Sequence, residues 1–178
     1  NTPLPPDPNV VCAGLAVPVP AAAIGLPSGG ATIDSATLFF SSSLSVAERA
    51  ATPAATITPA LPQYCRLLGR IAPVDPKAPA IHFQVNLPQE WSGRSVQYGG
   101  GGFNGVLITG LGLPPAARFD LPGPLARGYV TYGTDSGHQN APGVPVQAFA
   151  ANDEALVNFA HASYKKVRDV AVELMKRR

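Results

Sequence analysis

The stretch 96-VQYGGGGFNG-105 decides how this chain is read. Four consecutive glycines, Gly99 to Gly102, come directly after a β-branched and aromatic segment. Glycine weakens any strand or helix it interrupts, so the run marks a place where the backbone bends sharply or something approaches it closely. Two chemistries use such a loop. A dinucleotide site lets a pyrophosphate reach the backbone, and an acyl-transfer site aims free N–H groups at a carbonyl oxygen that becomes an oxyanion.

The first fails on context. Gly100, Gly102 and Gly105 fit G-x-G-x-x-G after a strand, but that fingerprint needs a helix to open at once. The next segment, 106-VLITGLGLPP-115, is β-branched, dotted with glycine and closed by two prolines. Asp120, the next acid, is not at a strand end, and no Gly-Lys-Ser/Thr occurs. The second chemistry fits a glycine loop at a strand end, where no Cβ blocks outward-turned N–H groups. Losing one such donor typically costs about 3–4 kcal/mol of barrier. A tight bend without a ligand explains the same residues, and spacing alone leaves both open.

Outward from the loop, 94-RSVQY-98 predicts a short strand, and Trp91 is expected to anchor the turn before it by packing. In 80-AIHFQVNLP-88, Ile81, Phe83, Val85 and Leu87 alternate with His82, Gln84 and Asn86. With 64-YCRLLGRIAP-73 this predicts a hairpin of half-buried strands. Further upstream, 31-ATIDSATLFF-40 reads as a strand, 10-VVCAGLAV-17 as a helical turn held through Cys12, and residues 41–62 as loop. Downstream, 124-PLARG-128 predicts a short helix stopped by Gly128, and 129-YVTYGTD-135 a strand. A long helix starts at Asn152 or Asp153, with acids in its first turn and bases in its last. Leu156, Ala160, Ser163, Val167, Val170, Ala171 and Leu174 recur at helical spacing as its core face. Strands first, then strand and helix in alternation, predict an α/β sheet. A crossover helix of this length calls for a parallel strand after it. The sequence stops at Arg178, so the domain is expected to be unfinished there.

Composition narrows the function classes. The chain has 178 residues, 13% charged, with a net charge of +2, which excludes the basic surface of a nucleic-acid binder. Six of its 13 Lys and Arg residues lie between Lys165 and Arg178 and read as the solvated face of a helix. The 18 glycines and 20 prolines show no period and sit among 46% hydrophobic residues, as in a loop-rich globular domain. No run of roughly 18 apolar residues is present to span a membrane. The opening 1-NTPLPPDP-8 looks like a mature terminus or a linker left after signal-peptide removal. Cys12 and Cys65 would be two buried thiols in an intracellular chain and a disulfide in an exported one, where closing so long a loop is worth about 4 kcal/mol.

Asp135, Ser136 and His138 fall together in 134-TDSGH-138. They are not a triad, because triad members come from separate loops. They are expected to form a hydrogen-bonded turn that shapes the strand exit beside a pocket. His82 on a strand and His161 on the helix read as surface or packing histidines, and three scattered histidines without Cys-x-x-Cys argue against a metal site.

In this order and spacing, 87-LPQEWSGRSVQYGGGGFNG-105, 125-LARGYVTYGTDSGH-138 and 163-SYKKVRDVAVELMKR-177 resemble the tannase and feruloyl esterase family, well over residues 64–178 and loosely over 10–63. The resemblance implies the amino-terminal half of an α/β-hydrolase sheet, incomplete without a following strand and nucleophile elbow. Residues 1–63 would be a proline-rich arm and amino-terminal segment, tied by a Cys12–Cys65 disulfide to the catalytic half-domain at 64–178. It implies a secreted or periplasmic serine esterase acting on aromatic acid esters such as feruloyl, galloyl or terephthaloyl esters. Gly99 matches the glycine whose N–H forms half of the oxyanion hole, with Gly100 in the same loop, and 134-TDSGH-138 matches the floor beside the active site. The serine, acid and histidine, and a calcium-bearing lid, would lie in a missing carboxy-terminal segment or a second chain. No cofactor is then expected in these residues. This account requires an open position beside the strand ending near Asp135. The alternative is a non-catalytic, ester-binding or scaffold remnant.

Overall fold

The computed structural model describes residues 5–42, 60–114, 116–118 and 120–178. Most of the expected loop at 41–62 lies outside them.

Five strands form one mixed sheet: β1 (Ala31–Phe39), β2 (Tyr64–Ile71), β3 (Ile81–Pro88), β4 (Ser95–Gln97) and β5 (Val130–Thr134). Their order across the sheet is β1-β2-β3-β5-β4. The first three are antiparallel neighbours, β5 runs antiparallel to β3, and β4 runs parallel to β5. The expected 31–40, 64–73, 80–88, 94–98 and 129–135 strands are thus all present. The requirement for an open position beside the strand ending near Asp135 is corrected: β5 is flanked on both sides by β3 and β4. Among the described residues the sheet's edge strands are β1 and β4, the latter one strand out from β5.

The hairpin differs from expectation in one respect. Ile81, Phe83, Val85 and Leu87 face the core as the alternation predicts, each such burial contributing about 1.5–3 kcal/mol. Gln84 and Asn86 on the other face are buried too. They are satisfied there: Gln84 Nε2 donates to Asn86 Oδ1 at 2.8 Å, and Asn86 Nδ2 donates to the Thr109 carbonyl and to Thr131 Oγ1 at 2.7 and 2.9 Å. A buried amide without such partners would be destabilising, so the segment through Thr109 completes this face as much as it covers it.

Helix α1 (Pro8–Ala13) is capped by the Asp7 carboxylate and buries Cys12, which is disulfide-bonded to Cys65 in β2. The arm's Leu15, Val19 and Ile24 enter the same core as the strands. A 3₁₀ turn at Leu125–Arg127 ends at Gly128 in the left-handed region (φ 78°), the stop read from the sequence.

The long helix is three pieces in line: α2 (Asp153–Val157), a π-helical turn (Asn158–Ala162) and α3 (Ser163–Lys176). Asn152 caps it, its side chain accepting the Ala155 N–H. In α3, Ser163, Val167, Val170, Ala171 and Leu174 face the sheet as expected. Leu156 and Ala160 do not; Leu156 is 43% exposed, and Ala155, Asn158 and Ala162 point inward instead. The π turn inserts one residue per turn, which shifts the inward face by one position upstream of it. The basic face is corrected as well: the Lys166 side chain is buried, donating to Asn158 Oδ1 at 2.9 Å with Glu154 at 3.8 Å.

Candidate active site

Strand β4 delivers the glycine loop to the sheet edge. Its ladder with β5 continues one residue past the strand, Tyr98 N–H donating to the Tyr132 carbonyl at 2.8 Å. Backbone N–H groups alternate sides along an extended chain, so the next one, on Gly99, is directed away from β5. Gly99 is exposed, and its N–H has no hydrogen-bond partner among the described residues. A Cβ placed there would meet only the Tyr164 hydroxyl, at 3.8 Å. Gly100 is engaged differently: its N–H donates to the Tyr164 hydroxyl at 3.3 Å, and a Cβ there would lie 2.5 Å from Asn104 Cγ.

The loop then folds back onto the exit of β5. Gly105, at φ 80°, donates its N–H to the Asp135 carbonyl at 3.1 Å, and its carbonyl accepts from Asn140 N–H at 2.9 Å. Asn104, at φ 43°, donates from Nδ2 to the Thr134 carbonyl at 3.1 Å and to Ser136 Oγ at 2.9 Å. Asn140 Nδ2 donates to the Asn104 carbonyl at 2.8 Å.

Asp135, Ser136 and His138 are all buried beneath this loop. Asp135 Oδ1 accepts the N–H groups of Gly137 and His82 at 2.9 and 3.2 Å, and Oδ2 accepts Gln139 Nε2 at 2.7 Å with His82 Nδ1 at 3.5 Å. Burial raises its pKa above the ordinary carboxylate value, against the opposing pull of Gln139, the Gly137 N–H and His82. Ser136 is left-handed (φ 69°), a strained setting for serine, and its N–H donates to Thr134 Oγ1. His138 stacks on Phe149 with ring centroids 3.8 Å apart, edge-on to Phe159. Neither ring nitrogen has a hydrogen-bond partner among the described residues. Burial lowers its pKa, partly offset by Asp135 and by the nearby Phe103 carbonyl, which lies outside hydrogen-bond geometry. Ser136 and His138 share no hydrogen bond, so the three residues make a turn and not a proton relay.

Phe103, at the loop's tip, packs against Phe149 and Phe159 with centroids at 6.4 and 6.0 Å and stays 49% exposed. The result is an exposed aromatic surface on the same loop as the unpartnered amide. His82 is half-exposed beside Asp135, and His161 is exposed on the π turn. Trp91 departs from expectation: it is 40% exposed and holds its turn by donating Nε1–H to the Arg94 carbonyl at 2.8 Å. Among the described residues no three His, Cys, Asp or Glu side chains converge as metal ligands, and no helix is long and apolar enough to cross a membrane.

Sequence reading did not single out Asn104, Tyr164 or Asn140. Asn104-Gly105 is a local turn signal that was there to be used. Tyr164 carries none, since its partner is 64 positions away.

Known proteins are similar to this chain in sequence and in fold. The profile of the family described as tannase and feruloyl esterase matches residues 65–178. An uncharacterized esterase of Agrobacterium fabrum is 44% identical over 169 residues, covering 94% of this chain and 28% of that protein. Mono(2-hydroxyethyl) terephthalate hydrolase of Piscinibacter sakaiensis is 33% identical over 127 residues, covering 67% of this chain and 21% of that protein. The chain therefore spans between a fifth and a third of these curated relatives. Two crystal structures from Aspergillus oryzae, an esterase and feruloyl esterase B, superpose with TM-scores of 0.56 and 0.57 at 23% and 24% identity, covering 95% of this chain and 30% and 29% of theirs. That likeness is one of fold: the mixed sheet is part of an α/β-hydrolase-type esterase fold.

Proposed function

The chain belongs to the tannase and feruloyl esterase family, whose members are carboxylic ester hydrolases, and on that premise we propose that its glycine loop is the oxyanion-binding side of an ester-hydrolysing site. The observation that carries this reading is the Gly99 amide, exposed at the end of β4 and without a partner among the described residues. An unsatisfied N–H held on a rigid strand end is a preorganised donor for charge that develops on a carbonyl oxygen. Gly100 and Gly105 are accounted for by crowding and by backbone conformation, whereas nothing in the described residues requires glycine at 99. A glycine there suits close approach of a reacting carbonyl from outside.

In the reaction a serine hydroxyl attacks the ester carbonyl while a histidine, oriented by an acid, takes its proton. The Gly99 N–H holds the resulting oxyanion until it collapses to an acyl-serine, the alcohol leaving with the histidine's proton. Water then attacks the acyl-serine, and a second oxyanion held at the same amide collapses to release the acid and restore the serine. The serine, histidine and acid come from outside these 178 residues, in the remainder of the protein or a second chain, which is the partner this reading requires. Asp135, Ser136 and His138 form the floor under the loop. The exposed ring of Phe103, backed by Phe149 and Phe159, supports esters of aromatic acids as substrates, since a flat ring stacks on it. The Cys12–Cys65 disulfide supports a secreted or periplasmic location, where such bonds persist.

The test is to replace the Tyr98–Gly99 amide by an ester in the full-length protein, which removes one N–H and little else. The expected result is a fall in kcat of about 10²–10³-fold with KM for an aryl ester nearly unchanged. An unchanged kcat would remove the Gly99 amide from the reaction.

A further inference from the structure

We propose that Asn104 is the positioning residue that sets the height and direction of the Gly99 amide, by clamping the glycine loop to the exit of β5; this rests on the oxyanion reading above. The residue joins the two segments more completely than its neighbours do. Its Nδ2 spans two acceptors on β5's exit, the Thr134 carbonyl at 3.1 Å and Ser136 Oγ at 2.9 Å. Its Oδ1 accepts the Val106 N–H at 3.4 Å, and its own carbonyl accepts Asn140 Nδ2 at 2.8 Å. The same side-chain amide lies against Gly100, where an added Cβ would come within 2.5 Å of Asn104 Cγ. Backbone and side chain are both specified. At φ 43° the position suits asparagine better than most residues, and only a side chain with two donor hydrogens on one atom meets both acceptors.

Gly99 itself has no anchor of this kind. Its amide must remain unpaired to be useful, so its direction depends on what holds the residues on either side. Upstream, the Tyr98 N–H is fixed in the ladder with β5. Downstream, Gly100 rests on Asn104, which rests on Thr134 and Ser136. Donor placement matters steeply in such sites: a misplacement of about 1 Å can cost roughly 10²-fold in rate. This also gives the left-handed, buried Ser136 a purpose apart from nucleophilic chemistry, as the acceptor that seats the clamp.

The experiment compares Asn104→Asp and Asn104→Gly with the wild type in the full-length protein, normalised to active sites by titration with a fluorophosphonate. Asn104→Asp keeps the shape and turns the double donor into an acceptor facing a carbonyl. Asn104→Gly keeps the backbone conformation and deletes the clamp. Both are expected to lower kcat per titrated site about tenfold to a hundredfold with KM within about twofold. The Kd of an arylboronic acid, which mimics the oxyanion, should rise by a matching factor, while the Kd of the carboxylic acid product stays put. A residue needed only for folding would change the titrated fraction and leave kcat per site alone, and that result overturns the proposal. So does a fully active Asn104→Gly, which would show that backbone conformation alone is required. If the Gly99 amide-to-ester change lowers kcat while both Asn104 variants match the wild type, only the positioning role falls. If the Gly99 change is silent, the oxyanion reading falls and this proposal with it.

Discussion

Tyr164 grips the glycine loop from the helix side: its hydroxyl accepts the Gly100 N–H at 3.3 Å, and its main-chain carbonyl accepts Gln97 Nε2 at 3.0 Å. The first turn of α3 is thereby tied to both ends of the bend that leaves β4. Removing the hydroxyl in Tyr164→Phe deletes one hydrogen bond, worth about 0.5–1.5 kcal/mol. If that energy holds the loop in its working geometry, steady-state kinetics of the full-length enzyme should show kcat down by about threefold to tenfold, with thermal stability hardly altered. An unaffected kcat would leave Asn104 as the loop's sufficient anchor.

A pH dependence arises from His138. Its pKa is pushed below the ordinary 6.5, chiefly by burial among Phe149 and Phe159. The unfolded chain, with its histidine near 6.5, therefore takes up the proton first as pH falls. Stability is complete above about pH 7, declines from there to the lowered folded-state value, and levels off below it. His138→Leu removes the titrating group where neither nitrogen has a partner to lose among the described residues. It should flatten this part of the stability profile and cost less than about 1.5 kcal/mol at roughly pH 7.5. Urea melts across the histidine range, about pH 5 to 8, read both. Asp135, raised by burial, contributes with the opposite sign, gaining stability as pH falls, so it opposes this slope and does not mimic it.

The buried Lys166 and its partners are predicted to respond unequally to substitution. Glu154 also accepts the Val74 and Asp75 N–H groups at 2.6 to 3.1 Å, so it stays satisfied without the lysine. Lys166→Met should lie within about 1.5 kcal/mol of the wild type. Glu154→Leu leaves the buried ammonium without its counter-charge and frees the partly buried Asp75 N–H, and should cost about 3–5 kcal/mol. Equal losses in denaturant midpoints would show that the lysine's charge has another partner.

The strands, the start of the long helix, the stop at Gly128 and the glycine loop were legible in the sequence because each has a short-range cause: alternation, acids in a first turn after Asn152, a glycine closing a helical turn. The departures have long-range causes. Gln84 and Asn86 are polar and alternate with apolar neighbours, which is how a solvated face looks; only the return of the chain through Thr109 buries them. Leu156 and Ala160 keep to the usual helical period, and the π turn at Asn158–Ala162 resets that period without any proline or glycine to announce it. Lys166 sits among bases and reads as solvated until Glu154 and Asn158 are found within the same turn-altered segment. The site divides in the same way. Gly99 was legible as a strand-end glycine, whereas the contacts that hold its neighbours come from Tyr164 and from the exit of β5.

The bridge between Cys12 and Cys65 has a practical corollary for anyone handling this polypeptide. The two half-cystines bracket residues 13–64, so a protease nick anywhere in that interval would cut the backbone without releasing a fragment. The clipped material would migrate as a single band on a gel until a thiol was added. Apparent integrity before reduction is therefore no measure of an intact main chain.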